Sequence, residues 1–196
     1  MALIQPKHIT FTIPDWLQNY CNQYQPSRSV EGRMRFVIGA ASENISRKTG
    51  GPFAAGVFDS QSGKLIALGV NLVTTENLSI LHAEIVAISL AQKKLNTYDL
   101  SSSKAFNFQL LTSTEPCAMC LGAIPWSGIR EVVTGALAED AEKIGFDEGP
   151  KPNNWIKELT ERGIQVTDKV ERELAAQVLA RYAREQGNIY NTRQFD

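Results

Sequence analysis

The chain has almost no excess charge of either sign. Twenty Lys and Arg residues stand against twenty-one Asp and Glu residues, which gives a formal net charge of -1. A basic surplus that could follow a phosphate backbone is therefore missing, and this argues mildly against a nucleic-acid substrate. No stretch reaches the roughly 18 apolar residues of a membrane span. The start of the chain lacks the charge and the apolar run of a secretory signal, so we expect a cytoplasmic protein without a membrane segment.

Cysteine is scarce as well: the chain has 3, an odd number. Cys117 and Cys120 share one short motif, whereas Cys21 lies in an amphipathic stretch and is interpreted as a buried, inert thiol. Thiolate ligands must stay reduced, which again favours the cytoplasm. Internal repeats, low-complexity segments and interior linkers are also lacking. At 196 residues and 43% hydrophobic content, we expect one domain over 29–196, with 1–28 as an extension packed on it.

The hydrophobic pattern predicts helices that alternate with strands along most of the chain. Helices are predicted over 14–24, 30–48, 81–95, from about 116, and over 139–144, 153–161 and 168–186, the last one capped by Asp168. Strands are predicted over 53–58, 65–70, 106–112, 130–134 and 163–167, and turn residues at 59–63 join the first two into a hairpin. The predicted fold class is α/β, a three-layer α/β/α sandwich on a mixed sheet of roughly five strands.

Two short motifs carry the chemistry: His82-Ala83-Glu84, and Pro116-Cys117-Ala118-Met119-Cys120. One imidazole and two thiolates supply three zinc ligands and leave the fourth position for a water molecule. Zinc lowers the pKa of such a water from about 15.7 to roughly 7, and Glu84 is then predicted to carry protons between the water and the leaving nitrogen. Both motifs fall at predicted helix starts, with Pro116 as a first helical residue. The positive end of a helix dipole favours thiolates there.

A structural zinc site is the main alternative for these ligands. Such a site needs a fourth protein ligand. Cys21 or His8 could supply it only if the N-terminal extension folded over the motif, and Glu84 would then have no role. A further hypothesis is a binding or scaffold domain that a metal ion stabilises and that has no catalytic activity. It predicts a closed site of four ligands, and no effect of Glu84→Gln on ammonia release.

The paired motifs resemble those of the cytidine-deaminase-like superfamily of zinc-dependent deaminases. The resemblance covers roughly 30–195 and extends to three further segments. These are Gly51-Pro52-Phe53-Ala54-Ala55, Gly69-Val70-Asn71, and the run from Cys120 to Ser127. It implies one Zn²⁺ per subunit and a substrate-binding role for Asn71, Phe53 and Ala54. The amide of Asn71 offers both a donor and an acceptor to the edge of a ring; its alternative role is that of a turn residue.

One segment narrows the resemblance to a smaller group, the bacterial guanine deaminases. These enzymes have a run similar to Ile144-Gly145-Phe146-Asp147-Glu148-Gly149-Pro150, and the same group is fitted by Trp126-Ser127-Gly128. The likeness implies hydrolysis of guanine to xanthine and ammonia, as in purine catabolism, by a homodimer. Amino-triazines such as ammeline are further implied substrates. The final acid is Glu148, where some relatives carry Asp. A C-terminal aromatic segment, here from Tyr190 to Phe195, is expected to cover the active site, sometimes from the partner subunit.

The remaining residues have roles that rest mainly on this likeness. Glu148 is expected to accept from the ring N–H and amino group of guanine and to pass protons to the departing ammonia; its alternative is a solvated loop acid. Trp126 either stacks on the base or is buried in the core, and Phe53 is either pocket floor or core. Cytosine, a nucleoside or a tRNA adenosine stays open as an alternative substrate of the same zinc core.

Overall fold

A single mixed sheet organises the protein. The computed structural model describes residues 5–102 and 106–191. Its five strands are β1 (Ala54–Asp59), β2 (Leu65–Val70), β3 (Phe108–Thr114), β4 (Glu131–Ala136) and β5 (Gln165–Thr167). They lie in the order β2-β1-β3-β4-β5. β1 runs antiparallel to both β2 and β3, whereas β3, β4 and β5 are parallel. The predicted mixed sheet and the predicted hairpin are confirmed.

Helices cover both faces of this sheet. They are α1 (Asp15–Asn22), α2 (Val30–Ser46), α3 (Val73–Glu76), α4 (Ala83–Leu95), α5 (Ala118–Ser127), α6 (Ala138–Glu142), α7 (Trp155–Glu161) and α8 (Arg172–Arg184). The short α3 and a 3₁₀ turn at Leu100–Ser102 were not predicted from the sequence. α2 and α8 share one core with the sheet, and α4, α5 and α7 share the other. Leu110 and Leu111 of β3 belong to opposite cores, as the two-residue period of a strand requires. The three-layer sandwich is confirmed.

The segment before α2 packs on the domain through its aromatic residues. Leu17 in α1 is buried in the core beside α2. The indole N–H of Trp16 donates to the Thr49 hydroxyl at 3.0 Å, and the Tyr20 hydroxyl donates to the Phe36 carbonyl at 2.8 Å. Cys21 is half-buried, and burial raises the pKa of its thiol, which agrees with an unreactive cysteine.

Two predicted helix starts were wrong. Pro116 does not begin a helix, because α5 starts at Ala118 with Cys117 as its N-cap. Asp168 does not cap α8, which starts at Arg172 after an N-cap at Glu171. The reason for the second error is a backbone hydrogen bond of 2.9 Å from Val170 N–H to the Thr134 carbonyl. It keeps the chain beside β4 for several residues before the helix can begin.

The strand β2 forms one edge of the sheet, and a lysine faces that edge. Lys94 Nζ, from the last turn of α4, donates to the Ile66 carbonyl at 2.8 Å. Charged groups at sheet edges discourage pairing with strands of other molecules. Among the described residues, none of the helices has the length and the apolar content needed to pass through a bilayer.

Candidate metal and catalytic site

Two helix N-termini meet at the predicted metal ligands. His82 is the N-cap of α4 and Cys117 is the N-cap of α5. The start of α4 is held close to the sheet because Gly69 of β2 has no side chain. A Cβ at Gly69 would lie 2.4 Å from the Ala87 nitrogen and 2.5 Å from the Ala83 oxygen. Since the positive ends of helix dipoles favour anions, this arrangement suits thiolate ligands.

The three predicted ligands fit a zinc ion. The ligand atoms of His82, Cys117 and Cys120 all lie within 4.8 Å of one another. Nδ1 of His82 is 3.4 Å from Sγ of Cys117. A tetrahedral zinc with normal Zn–N and Zn–S bonds would separate two such atoms by about 3.6 Å. Nitrogen and sulfur donors are also the set that zinc prefers over magnesium or calcium. These three side chains therefore form a zinc site.

The site keeps a coordination position open. In the described part of the chain, the group contains no fourth His, Cys, Asp or Glu. His8, the other histidine, is exposed, and Cys21 packs with the core beside α2. Structural zinc sites are closed by four protein ligands, whereas catalytic sites bind zinc through three. The geometry thus favours the catalytic interpretation.

The electrostatics at the ligands favour a thiolate. A hydrogen bond from the Cys120 thiol, followed by the contact with His82, lowers the pKa of Cys117 to about 4, against the opposing effect of burial. The bond to Cys117 and burial raise the pKa of Cys120. Burial alone would lower the pKa of His82, but the bond to Cys117 and the neighbouring carboxylates raise it overall. One deprotonated sulfur therefore already lies beside the imidazole.

Glu84 lies in the first turn of α4, beside the ligands. Its side chain is buried, and Oε1 accepts a hydrogen bond of 3.3 Å from the Thr112 hydroxyl of β3. Burial, and then the negative charge of Cys117, raise the pKa of the Glu84 carboxyl. A carboxyl with a raised pKa can hold a proton and release it again, as a general acid and base must.

A cavity of about 370 Å³ opens beside the metal ligands. Most of the predicted site residues line it: Phe53, Asn71, His82, Glu84, Cys117, Glu148 and Tyr190. The metal ligands are thus accessible to a small molecule, and the residues predicted to bind substrate surround the same space.

Glu148 is held with its carboxyl facing this cavity. Its backbone carbonyl accepts a hydrogen bond of 2.9 Å from the Ala118 N–H, in the first turn of α5. Burial, and then the charge of Cys117, raise the pKa of Glu148 to about 8. Among the described residues, none hydrogen bonds to its Oε2 atom. Glu148 is therefore not a solvated loop acid.

Asn71, at the end of β2, is completely buried. Its Oδ1 accepts a hydrogen bond of 3.3 Å from Val73 N–H, so the side chain has part of the turn role that asparagine favours. Its Nδ2 has no hydrogen-bond partner within 5–102 and 106–191. Asn44 of α2 fixes the backbone here, because its Nδ2 donates to the carbonyls of Gly51 at 2.9 Å and of Asn71 at 3.0 Å.

Tyr190 borders the cavity from the C-terminal segment. Its ring lies 5.0 Å from that of Phe146, and a Cβ at Gly51 would be only 2.6 Å from its hydroxyl oxygen. The next residue, Asn191, donates to the Gly145 carbonyl at 2.7 Å and accepts from Asp147 N–H at 3.0 Å. The segment is thus tied to the loop that carries Glu148. The rest of the predicted covering segment, 192–195, lies outside the described residues.

Two predicted site residues are not at the cavity. Ala54 is fully buried in the core beside α2, because neighbouring strand residues point to opposite faces and Phe53 takes the face of the cavity. Trp126 is 87% exposed on α5, so in this chain it neither stacks in the cavity nor belongs to the core.

Sequence reasoning missed Asn44, Thr112, Glu115, Phe146 and Lys151. Asn44 gave a signal, because it is a polar residue on the otherwise apolar face of α2, between Ala41 and Ile45. Phe146 lies within a recognised segment and Glu115 adjoins one, but the sequence assigned a contact to neither. Phe146 packs on Phe53 with 4.9 Å between ring centroids and thereby builds the cavity wall.

An open three-ligand zinc site, a buried carboxyl beside it and a small cavity define a zinc-dependent hydrolase of small molecules. The model of the cytidine and deoxycytidylate deaminase zinc-binding region matches residues 27–136. The chain belongs to this deaminase family.

Individual relatives agree with this assignment. A guanine deaminase of Bacillus subtilis is 40% identical over 115 residues, which are 59% of this chain and 69% of the relative. A solved structure of a guanine deaminase from Nitrosomonas europaea is similar with a TM-score of 0.87 and 43% identity, over 92% of this chain and 99% of that chain. A structure in complex with 2,6-diaminopurine has the same TM-score of 0.87 and 46% identity, over 93% and 96% of the two chains.

Proposed function

We propose that the protein hydrolyses guanine to xanthine and ammonia with one zinc ion per chain. One observation carries the proposal. Three buried polar atoms without partners in the described structure belong to residues lining the same cavity: Asn71 Nδ2, Glu148 Oε2 and the Tyr190 hydroxyl. A buried polar atom without a partner costs about 1–3 kcal/mol. A ligand with several polar groups along its ring edges would satisfy all three.

Guanine has the complementary groups. Its ring N–H and its amino group are adjacent donors, which Glu148 accepts together when its carboxyl is ionised. Its ring nitrogens and carbonyl oxygen are acceptors for the Nδ2 donor of Asn71. The rings of Phe53, Phe146 and Tyr190 supply apolar walls for a flat purine. The similarity to guanine deaminases over nearly the whole chain supports the same substrate.

The chain's own residues then divide the chemistry between them. Zinc, when bound by His82, Cys117 and Cys120, supplies an activated water molecule as the nucleophile. As the water oxygen bonds to C2, Glu84 takes a proton from it and gives that proton to the neighbouring ring nitrogen that carries no hydrogen. Glu84 then moves the proton of the added hydroxyl to the amino group, so that the C2–N bond breaks, ammonia leaves and the C2 carbonyl forms. Thr112 keeps the Glu84 carboxyl in place through its hydroxyl. Glu148 orients the amino-bearing edge of the ring and accepts from it.

Charge supports a free base over a nucleic acid. No lysine or arginine of the described residues lines the cavity, and the whole chain carries a formal net charge of -1. A polynucleotide substrate normally requires basic residues around the site. Cytosine, adenosine in tRNA and nucleosides remain the alternatives that share the zinc core, and ammeline is a further substrate that we propose.

A panel of substrates tests this function directly. The purified zinc protein is incubated with guanine, guanosine, cytosine, adenosine and ammeline, and released ammonia is measured together with xanthine. We expect guanine to give equal amounts of ammonia and xanthine, at a higher kcat/KM than either nucleoside. Absence of xanthine from guanine, with turnover of cytosine or adenosine, would contradict the proposal.

We also propose that the protein is a homodimer, with the C-terminal segment as the part that the subunits can exchange. Met119 and Trp126 lie seven residues apart on α5 and share one face, with exposed fractions of 38% and 87%. Exposed large apolar side chains on one helix face are typical of an interface. Because Met119 also lines the cavity, this face is continuous with the active site.

We propose a cytoplasmic location, because the zinc ligands include two thiolates that oxidation would disable. We propose that 29–196 form the deaminase domain and that 1–28 are an extension, since the family match begins at residue 27.

A further inference from the structure

A largely buried ion pair lies next to the cavity but contributes no atom to the metal site. Lys151 Nζ is 2.9 Å from Glu115 Oε2, and the two side chains are only 9% and 11% exposed. The ammonium also lies 5.4 Å from the centre of the buried Trp155 ring. Glu115 lines the cavity, whereas Lys151 stands behind it.

The ion pair joins the two segments that carry the chemistry. Glu115 follows β3, is anchored by a 2.8 Å hydrogen bond from its N–H to the Ala136 carbonyl, and precedes the zinc ligand Cys117. Lys151 closes the loop that begins at Glu148. The first end of this loop is held by the bond from Ala118 N–H to the Glu148 carbonyl. The second end is held by the ion pair, so the Glu148 side chain lies between two attachments to the same segment.

Stability alone does not account for the pair. Removing two charges from water costs free energy that their attraction often fails to recover, and apolar side chains in the same place are frequently as stable. A role in fixing the position of the loop that carries Glu148 accounts better for a charged pair at the cavity wall. The charge of Glu115 is thus paired with Lys151, whereas Glu148 Oε2 has no hydrogen-bond partner among the described residues and can accept from a ligand.

We propose that Lys151 is a positioning residue for substrate recognition: its ion pair with Glu115 holds the 148–151 loop so that Glu148 presents its free carboxylate oxygen to the amino-bearing edge of the base. The inference rests on the proposed guanine deamination. In support of it, the Lys151 charge opposes the rise that burial causes in the pKa of Glu148, and so favours the carboxylate that accepts from N–H groups.

Steady-state kinetics of the zinc enzyme test the inference through Lys151→Met. We expect the KM for guanine to rise about 10- to 100-fold, because small displacements of a binding group are costly, with a smaller change in kcat and unchanged zinc content. A merely structural role would lower the folded fraction, and hence the apparent kcat, and leave KM alone. Lys157→Met is the matched control, because Lys157 forms an exposed pair with Glu161 on α7. A wild-type KM in Lys151→Met, or an equal rise in Lys157→Met, overturns the inference.

Further variants show whether Lys151 acts through its partners. Lys151→Arg keeps the charge and should recover most of the affinity. In the Glu148→Gln background, the further change Lys151→Met should raise the KM for guanine by less than about threefold. If Lys151 acts through Glu148, the effects of the two substitutions do not add. If Lys151→Met fails to fold, Glu115→Gln/Lys151→Met removes both charges together and should fold with a raised KM. A wild-type KM in that double variant, or fully multiplicative effects with Glu148→Gln, overturns the inference.

The experiments distinguish an error in the proposed function from an error in the proposed role of Lys151. If the wild type forms no xanthine from guanine, the proposed function is wrong whatever Lys151 does. Crystal structures of the wild type and Lys151→Met then test the positioning separately. A displaced 148–151 loop in the variant supports the inference, and an unmoved Glu148 carboxyl contradicts it.

Discussion

At the scale of single residues, the site depends on polar side chains that hold the backbone of other elements. Asn44 is the clearest case, because one buried amide bridges the carbonyls of Gly51 and Asn71 and accepts from the Thr49 hydroxyl at 2.7 Å. Thr112 instead contacts a side chain, because its hydroxyl donates to the Glu84 carboxyl. Positions of this kind set the geometry of the cavity without contacting its contents.

Replacing Glu84 by Gln separates zinc binding from catalysis. The amide keeps the size of the side chain but cannot take up and release a proton, so we expect turnover of guanine to fall by about 10²–10⁴-fold with one zinc per chain retained. Ammonia release and metal content measured on the same sample check this. Unchanged ammonia release would support the binding or scaffold hypothesis instead.

Replacing Asn44 by Leu tests the buried bridge. Two carbonyls and a hydroxyl would lose their partner, so we expect a loss of about 1–3 kcal/mol in the free energy of unfolding and a higher KM for guanine. Urea denaturation and steady-state kinetics measure the two effects. Asn22→Leu, at an exposed position of α1, is the control and should change neither quantity. A stable variant with a raised KM would assign the bridge to substrate binding alone.

At the scale of elements, most helices and strands were predictable because hydrophobic periodicity reports the faces that they bury. Their ends were less predictable, because they depend on partners distant in sequence. α8 begins after Glu171 and not after Asp168, since Val170 is first bonded to β4. The zinc ligands were predictable from the spacing of His82, Cys117 and Cys120, because this spacing places all three at the starts of two helices that can meet at one ion. The exposure of Trp126 depends on which face of α5 the sheet covers, and local sequence does not show this.

The contact between α6 and α8 gives a prediction about acid stability. A hydrogen bond from Arg172 lowers the pKa of Asp140 to about 2. Nε of Arg172 is 2.9 Å from the Asp140 carboxylate. Because the pKa in the folded protein lies below the usual value of 3.8, the carboxylate stabilises the fold above about pH 4, and this stabilisation is lost as the pH falls towards 2.

We therefore expect Asp140→Asn to lower the free energy of unfolding by about 1 kcal/mol at pH 7, a value discounted for solvent screening, and by much less at pH 2. Denaturation at both pH values measures the difference. Glu161→Gln, in an exposed pair, is the control. An equal loss at the two pH values would show that the charge of Asp140 is not responsible.

At the scale of the whole molecule, the zinc ligands join α4 and α5 across the end of the sheet. A ligand that binds only the folded state stabilises it by about 2.7 kcal/mol at 100 times its dissociation constant. We expect a strong chelator to lower the Tm by about 5–10 °C and to abolish ammonia release. Added zinc should restore both, as measured by calorimetry and activity on one sample. Full activity of a protein that measurably lacks metal would refute the zinc mechanism.

Self-association is the second prediction for the whole molecule. Trp126→Lys places a charge on the exposed face of α5, so we expect the dimer to dissociate to a monomer at micromolar concentration. Sedimentation velocity measures the change. Tyr98→Lys alters an equally exposed aromatic residue outside α5 and serves as the control. A monomeric wild type would exclude the dimer.

Lys94, which faces the edge strand β2, affects how the protein behaves at high concentration. The outermost strand of an open sheet is a template on which another chain can extend the same sheet. Lys94 hydrogen bonds to one backbone carbonyl of this strand, that of Ile66, and places a positive charge beside it. Growth of fibrils from this border would require an incoming chain to displace a bound ammonium first. The bound lysine therefore makes the addition of a further strand to β2 less favourable.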